Sequence, residues 1–221
     1  MTAAIDFDKA RFNMVEQQAR PWVLFDQDLR EQLEQVHREV FVPAAFRSLA
    51  YADTAIPLGH GAEMLHPVVE SQALKALQPK HHAKVLEVGT GSGYTAALLA
   101  VQAAHVWTIE IEPALAQQAK ANLQAAGVDN VTVEVGDGLQ GLPAQAPFDA
   151  ILVSGAVTEI PQALLDQLKV GGRLFAVVGH GAVQTMELVT RTGDNEYSTK
   201  KILEAGASYL RQAAPRPAFT F

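Results

Sequence analysis

The stretch Val85-Leu86-Glu87-Val88-Gly89-Thr90-Gly91-Ser92-Gly93-Tyr94 constrains this chain more than any other. An apolar, β-type run stops at three alternating glycines, and an Ala/Leu-rich helical run from Thr95 to Gln102 begins at once. That is the strand, tight turn and helix of a nucleotide-binding βα unit. Glycines there let the backbone come so close to a ligand that Cβ atoms would intrude. Two ligand classes suit such a turn: a dinucleotide held by its pyrophosphate, and a nucleoside such as S-adenosylmethionine (SAM). The dinucleotide fingerprint needs glycine at its first, third and sixth positions, and Tyr94 holds the sixth. Glu87 weighs the same way, because a carboxylate beside the turn repels a pyrophosphate and attracts the ammonium and sulfonium of SAM. Glu87, Gly89, Thr90, Gly91, Ser92 and Gly93 are therefore expected to hold the methionine part of SAM. The competing reading is a glycine turn that binds nothing.

Beyond this unit the pattern alternates. Strands are expected at Val106 to Glu110, Val131 to Val135, Asp149 to Val153 and Arg173 to Val178, with helices at Pro113 to Ala126 and Pro161 to Leu168. Such alternation predicts a parallel sheet with helices on both faces. The rhythm breaks after Val178, because Gly179 to Val183 is too short for a crossover helix, so the run Gln184 to Arg191 must turn antiparallel. A hairpin loop, Thr192 to Glu196, leads to a last strand near Ser198 to Ala205. The expected fold is α/β: a Rossmann-like, seven-stranded, mostly parallel sheet with an antiparallel C-terminal hairpin and an N-terminal helical extension. Residues 1–80 would form that extension and a substrate loop, and residues 81–221 the SAM-binding core, in one compact unit.

Within the extension, Phe7 to Gln18 reads as an amphipathic helix that starts at Asp6 or Asp8 and ends before Arg20-Pro21. A second helix spans Asp26 to His37 with Leu29, Leu33 and Val36 as its apolar stripe. Trp22 is either a staple between the two helices or a residue lining the site. A short helix is expected between Phe41 and Tyr51. Asp53 to Gly61 carries too much Pro and Gly for regular structure and reads as a functional loop. Pro67 to Leu77 is a helix with proline in its first turn.

Acids at strand ends sharpen the cofactor reading. Glu110 closes the second strand, where α/β nucleotide sites place an acid on the ribose hydroxyls; Glu112 suits the start of the next helix. Gly136-Asp137-Gly138 follows the third strand, and Asp137 with the Gly138 backbone fits an adenine edge, or else a plain turn acid. Formal charge is −7 with no basic run longer than a pair, which argues against a nucleic-acid partner. Cysteine is absent, which excludes disulfides and thiolate metal sites. The charged first thirty residues leave no apolar core for a secretory signal, and no run is apolar enough to span a membrane. The expectation is a soluble, cytoplasmic protein. His60, Glu63 and His66 match no established metal-ligand spacing, so no metal is expected.

The same residues carry a resemblance. Val40-Phe41-Val42-Pro43 with Glu39, Ala50-Tyr51-Ala52-Asp53, Ile56-Pro57-Leu58-Gly59 and above all Val85 to Ala100 resemble, in order, "REXFVP", "AYXDXXLPIG" and "VLEIGTGSGYXAAVLA". These are motifs of the protein L-isoaspartyl (D-aspartyl) O-methyltransferase family, within the class I SAM-dependent methyltransferases. The resemblance runs from about Arg11 to Arg191 and implies SAM as cofactor and methyl esterification of isoaspartyl carboxylates in damaged proteins. The substrate side departs from the pattern. Where the family reads Gly-Gln-Thr-Ile-Ser, this chain has Gly61-Ala62-Glu63-Met64-Leu65, and Leu65 replaces a serine associated with methyl transfer. Ala207-Ser208-Tyr209-Leu210 stands in place of "FVPL". Asp53, Gly61, Glu63 and Leu65 are accordingly the candidate acceptor-side residues. The methyl acceptor is then an isoaspartyl peptide or protein or, alternatively, a small molecule; a SAM-binding sensor without turnover is the third reading.

Overall fold

The computed structural model describes residues 5–19, 27–181 and 183–215. Helix α1 (Phe7–Asn13) starts where Asp6 accepts a hydrogen bond from the Lys9 amide, as a capping acid should. The expected helix to Gln18 does not continue as a regular α-helix: Met14–Ala19 forms a π-helical turn. The wider turn carries the inward side chains, since it buries Met14, Val15 and Ala19 while α1 buries none. Trp22, Asp26 and the Arg20-Pro21 break lie outside the described residues. Helix α2 (Gln27–Gln35) buries Leu29 and Leu33, and 3₁₀ turns follow at Arg38–Val40 and Ala44–Leu49.

The expectation of an irregular loop over Asp53 to Gly61 is overturned. β1 (Ile56–Gly59) and β2 (Ala62–Met64) pair antiparallel, Ile56 opposite Met64 and Pro57 opposite Glu63. Gly59, His60 and Gly61 have φ of 83°, 53° and 76° in succession, which reverses the chain tightly. Pro57 is tolerated because both strands of a two-stranded ribbon are edges. Helix α3 (Pro67–Leu77) follows with the expected limits and ends at Gln78, whose φ of 42° stops it.

The main sheet is built from β3 (Lys84–Val88), β4 (His105–Glu110), β5 (Val131–Val135), β6 (Phe148–Val157), β7 (Leu168–His180), β8 (Val183–Gly193) and β9 (Glu196–Glu204), with helices α4 (Tyr94–Ala100), α5 (Pro113–Ala125) and α6 (Gln162–Asp166) between them. Its order is β5-β4-β3-β6-β7-β8-β9. The β8 pairings with β7 and β9 are antiparallel, and the remaining pairs are parallel. β7 begins earlier than expected because Gly171-Gly172 interrupts a strand rather than a loop: Phe148 faces Leu168, yet Ala150 already faces Arg173. The extra residues loop out at Gly171, whose φ is 81°.

Successive residues of the central strand β3 feed opposite faces. Val85 packs with Met14, Leu33, Leu98 and Phe175 on one face, while Leu86 and Val88 pack with Ile109, Ile151, Leu164 and Leu174 on the other. The first cluster thus joins the N-terminal helices to the sheet. Strand order reverses at β3, and the crevice above that reversal is where open α/β sheets take their ligands. After β9 the chain returns across β6: the Ala156 amide donates to Ser208 at 2.8 Å, and the Leu210 amide donates to Ala156 at 2.9 Å. Among the described residues, no helix is long and apolar enough to cross a membrane.

Candidate functional site

The carboxyl ends of β3, β4 and β6 and the turn after β5 enclose one cavity. Gly89, Gly91, Glu110, Asp137, Gly138 and Ser154 line it from the sheet side, and Gly61, Glu63, Ser208, Leu210 and Arg211 line it from the opposite side. The glycine turn is drawn back onto β4, since the Gly89 and Thr90 amides both donate to the Ile109 carbonyl, at 2.9 and 3.3 Å. Gly89, Gly91 and Gly93 have φ of 94°, 52° and 86°, a region other residues enter at a cost. Thr90 and Ser92 are buried and hold the turn: Thr90 Oγ1 shares a 2.7 Å hydrogen bond with Thr108, and the Ser92 carbonyl accepts from Asn122 at 2.9 Å. Gly138 has no room for a side chain, as a Cβ there would stand 2.6 Å from Val88 Cγ1.

Glu110 is nearly buried and fully oriented. One carboxylate oxygen accepts from the Gly91 amide at 2.8 Å and the other from the Glu112 amide at 3.0 Å. Each oxygen keeps a second lone pair for a ligand hydroxyl. Asp137 uses one oxygen to cap the turn Gly138–Gln140, accepting from the Leu139 amide at 3.0 Å. The turn role expected as the alternative is therefore present, and the residue lines the cavity as well.

Glu87 stands behind the cavity wall. It is completely buried, and its oxygens accept from Thr108 at 2.7 Å and Ser154 at 2.8 Å. Burial pushes its carboxyl up to about 8, against the pull of those two hydroxyls and with a further push from Glu110. Ser154, which does line the cavity, connects it to the ligand space. The folded form holds this proton more tightly than the unfolded chain, so Glu87 lowers stability as pH rises from the ordinary value of 4.5 to about 8. Glu87→Gln should therefore flatten that fall. Denaturant midpoints at the two ends of the window would show it, and an equal pH slope in both proteins would refute the assignment.

Of the acceptor-side candidates, Gly61 and Glu63 reach the cavity, while Asp53 and Leu65 do not. Glu63 accepts a 2.6 Å hydrogen bond from Ser208. Leu65 turns into the apolar core. Asp53 serves the start of α3, accepting from the Val68 amide at 3.5 Å. His60 and His66 part company: His60 Nδ1 faces Glu112 at 3.6 Å, and His66 Nδ1 faces Asp53 at 3.7 Å.

Pattern reading missed two features. Arg38 and Glu70 form a buried ion pair; Arg38 also donates to the Leu65 carbonyl at 2.7 Å and lies over the Tyr94 ring at 4.7 Å. The pair joins a 3₁₀ turn to a helix across distant sequence; Arg38 opens the "REXFVP" segment, but nothing in the pattern names Glu70 as its partner. The second is the returning segment 207–211, whose Leu210 seats against glycines. A Cβ on Gly89 would stand 2.9 Å from Leu210 Cδ2, and one on Gly155 would stand 2.7 Å from it. Only the glycines at both ends of that contact hint at it.

Comparison with known proteins bears on the family and the fold. The family model described as Protein-L-isoaspartate(D-aspartate) O-methyltransferase (PCMT) matches residues 9–209. A protein-L-isoaspartate O-methyltransferase of Roseiflexus castenholzii is 46% identical over 190 residues, covering 86% of this chain and 87% of the relative. One from Hyperthermus butylicus is 39% identical over 207 residues, covering 89% and 86%. A solved chain from Plasmodium falciparum, described under the same activity and in complex with S-adenosyl-L-homocysteine, superposes with a TM-score of 0.79 at 20% identity, covering 95% of this chain and all of that one. The seven-stranded architecture is thus shared even where sequence has drifted. From the glycine turn to the strand-end acids, over nearly its whole length, the chain belongs to the protein-L-isoaspartate(D-aspartate) O-methyltransferase family.

Proposed function

We propose that the protein transfers the methyl group of SAM to a side-chain carboxylate, that of an isoaspartyl residue in a peptide or protein. The carrying observation is Glu110, a buried-edge acid fixed by two amides at the rim of a glycine cradle. The cradle fits the cofactor: side chains are excluded at Gly89 and Gly138, where a Cβ would meet Leu210 and Val88, and the strand-end acids lie along one wall. In this reading Glu110 takes the ribose hydroxyls and Asp137 with the Gly138 amide takes the adenine. Ser154, backed by Glu87, faces the methionine end. SAM, when bound, supplies an electrophilic methyl on a positive sulfur. An acceptor carboxylate with an ordinary pKa of about 4 is already ionised at neutral pH, so the chain need supply no base. Its work is to align the carboxylate oxygen with the methyl and to keep water out. The carbon–oxygen bond forms as the carbon–sulfur bond breaks, and the sulfur keeps the electron pair.

A second acceptor class is favoured by one observation, the Glu63 carboxylate in the cavity wall. At about 4 Å it would repel an anionic acceptor by about 1 kcal/mol in water, and more at lower effective dielectric. That suits a neutral or cationic small molecule. An acidic chain without cysteine fits a cytoplasmic site of action and a protein or small-molecule partner rather than a nucleic acid.

Incubation with methyl-labelled SAM and matched isoaspartyl and aspartyl peptides tests the proposal. A base-labile methyl ester on the isoaspartyl peptide alone is expected, and Glu63→Gln should raise its kcat/KM roughly fivefold. Binding of SAM without any ester would remove the isoaspartyl acceptor and favour the small molecule.

A further inference from the structure

We infer that Glu112 is a positioning residue that pins the β1–β2 turn and the returning segment 207–211 over the cofactor, so that product release requires this pin to open. The inference rests on SAM being the ligand of the cavity.

Three separate pieces of chain meet at this one carboxylate. Its own backbone amide donates to the Glu110 carboxylate at 3.0 Å, which ties it to the acid assigned to the ribose. Its Oε2 accepts from Arg211 Nη1 at 3.3 Å and stands 3.6 Å from His60 Nδ1. Arg211 Nη2 also donates to the His60 carbonyl at 2.9 Å. The returning segment is thereby fixed to the hairpin at two points, Arg211 on the turn residue His60 and Ser208 on the β2 residue Glu63. Between those points Leu210 sits in the notch left by Gly89 and Gly155. Residues from both pieces line the cavity opposite the glycine turn. The cover is therefore a seated contact rather than a loop drifting past.

The arrangement has a direction. Glu110 is held by amides on both sides, Gly91 in the cradle and Glu112 at the pin. A ligand that draws on Glu110 steadies the residue on which the cover is fastened. The partners of the pin are half in solvent, with Arg211 and His60 side chains exposed at 49% and 48%, while the Glu112 side chain is exposed at 20%. Exposed ion pairs are individually weak and screened by salt, which suits a contact that must open each turnover.

The experiment measures the dissociation rate of S-adenosylhomocysteine by competition, for the full chain and for Glu112→Gln, Arg211→Gln and the double variant. Each single variant should release the product roughly fivefold faster. The double variant should fall short of the product of the singles, because both remove the Glu112–Arg211 contact, while Arg211→Gln alone also disturbs the bond to the His60 carbonyl and Glu112→Gln alone the contact with the His60 ring. Single-turnover methyl transfer from preloaded Glu112→Gln, whose side chain lies outside the cavity lining, should stay unchanged, while KM for SAM rises. At about 1 M salt, where the screening length is about 3 Å, the wild-type rate should approach that of Glu112→Gln. A merely structural role would lower thermal stability without that salt convergence or that non-additivity. Unchanged release from folded Glu112→Gln, or fully additive effects, overturns the inference while leaving the cofactor assignment intact. Failure of the wild-type protein to bind S-adenosylhomocysteine overturns both.

Discussion

Replacing Glu110 with alanine should lower SAM affinity by about a hundredfold or more while the protein stays folded. Two charge-assisted hydrogen bonds to the ribose would go, each worth roughly 1.5–3 kcal/mol, and each 1.4 kcal/mol is about a factor of ten. The structure adds a second cost to the same substitution. The carboxylate also accepts the Gly91 and Glu112 amides, so its removal loosens the cradle and the start of α5 together. Glu110→Gln separates the contributions, since an amide oxygen can still accept but carries no charge and its NH₂ cannot accept at all. Calorimetry should rank wild type above Gln and Gln above Ala. Equal affinity in folded wild-type and alanine proteins would confine Glu110 to holding the turn.

The largest stability effect is expected at the buried pair. Arg38→Met leaves the Glu70 carboxyl buried with its partner gone, a loss of about 3–5 kcal/mol. For a chain of this size that is a fall in Tm on the order of 10 °C. Replacing both, Arg38→Met with Glu70→Leu, should recover most of it, because no uncompensated charge is left behind. The pH dependence has a definite sign. Burial pushes Glu70 up to about 7 despite the opposing pull of Arg38, so the folded state holds a proton that the unfolded chain gives up. Stability falls as pH climbs from the ordinary 4.5 towards about 7. Without Arg38 the folded carboxyl holds its proton still more tightly, and the fall should extend to higher pH. Melting curves across that range check the prediction; a single variant as stable as wild type at neutral pH would sink it.

Much of this was legible from residue order, for reasons that are local. Apolar runs of strand length, separated by helix-length amphipathic segments, place β3 to β6 and α3 to α5 within a few residues of their observed ends, because period and capping are short-range properties. Glycine-rich segments misled in two places. Gly59 to Gly61 read as the end of order but makes the turn of a hairpin, and Gly171-Gly172 hides a strand that runs through it. Glycine marks an unusual backbone angle without saying whether pairing resumes beyond it. In the site, Gly89, Gly91, Glu110, Asp137 and Gly138 reach one wall from three strand ends, as their positions in the pattern imply. Arg38 with Glu70, Glu87 behind Ser154, and Leu210 in its notch could not be read in advance. Each depends on a contact between segments whose separation only the packed sheet closes.

The strand order also bears on how the protein behaves at high concentration. A sheet that is not closed offers its two outermost strands as templates for a neighbour's backbone. Here those are β5 and β9, and neither is a good template. β9 carries Glu196, Lys200, Lys201 and Glu204 along its length, and five-residue β5 interrupts its valines with Glu134. Charge on the one and shortness on the other oppose the stacking of chain on chain that leads to fibrils. The long antiparallel tail thus ends the sheet as well as extending it, and keeps the apolar strands β3 and β6 in the interior, away from any edge at which aggregation would start.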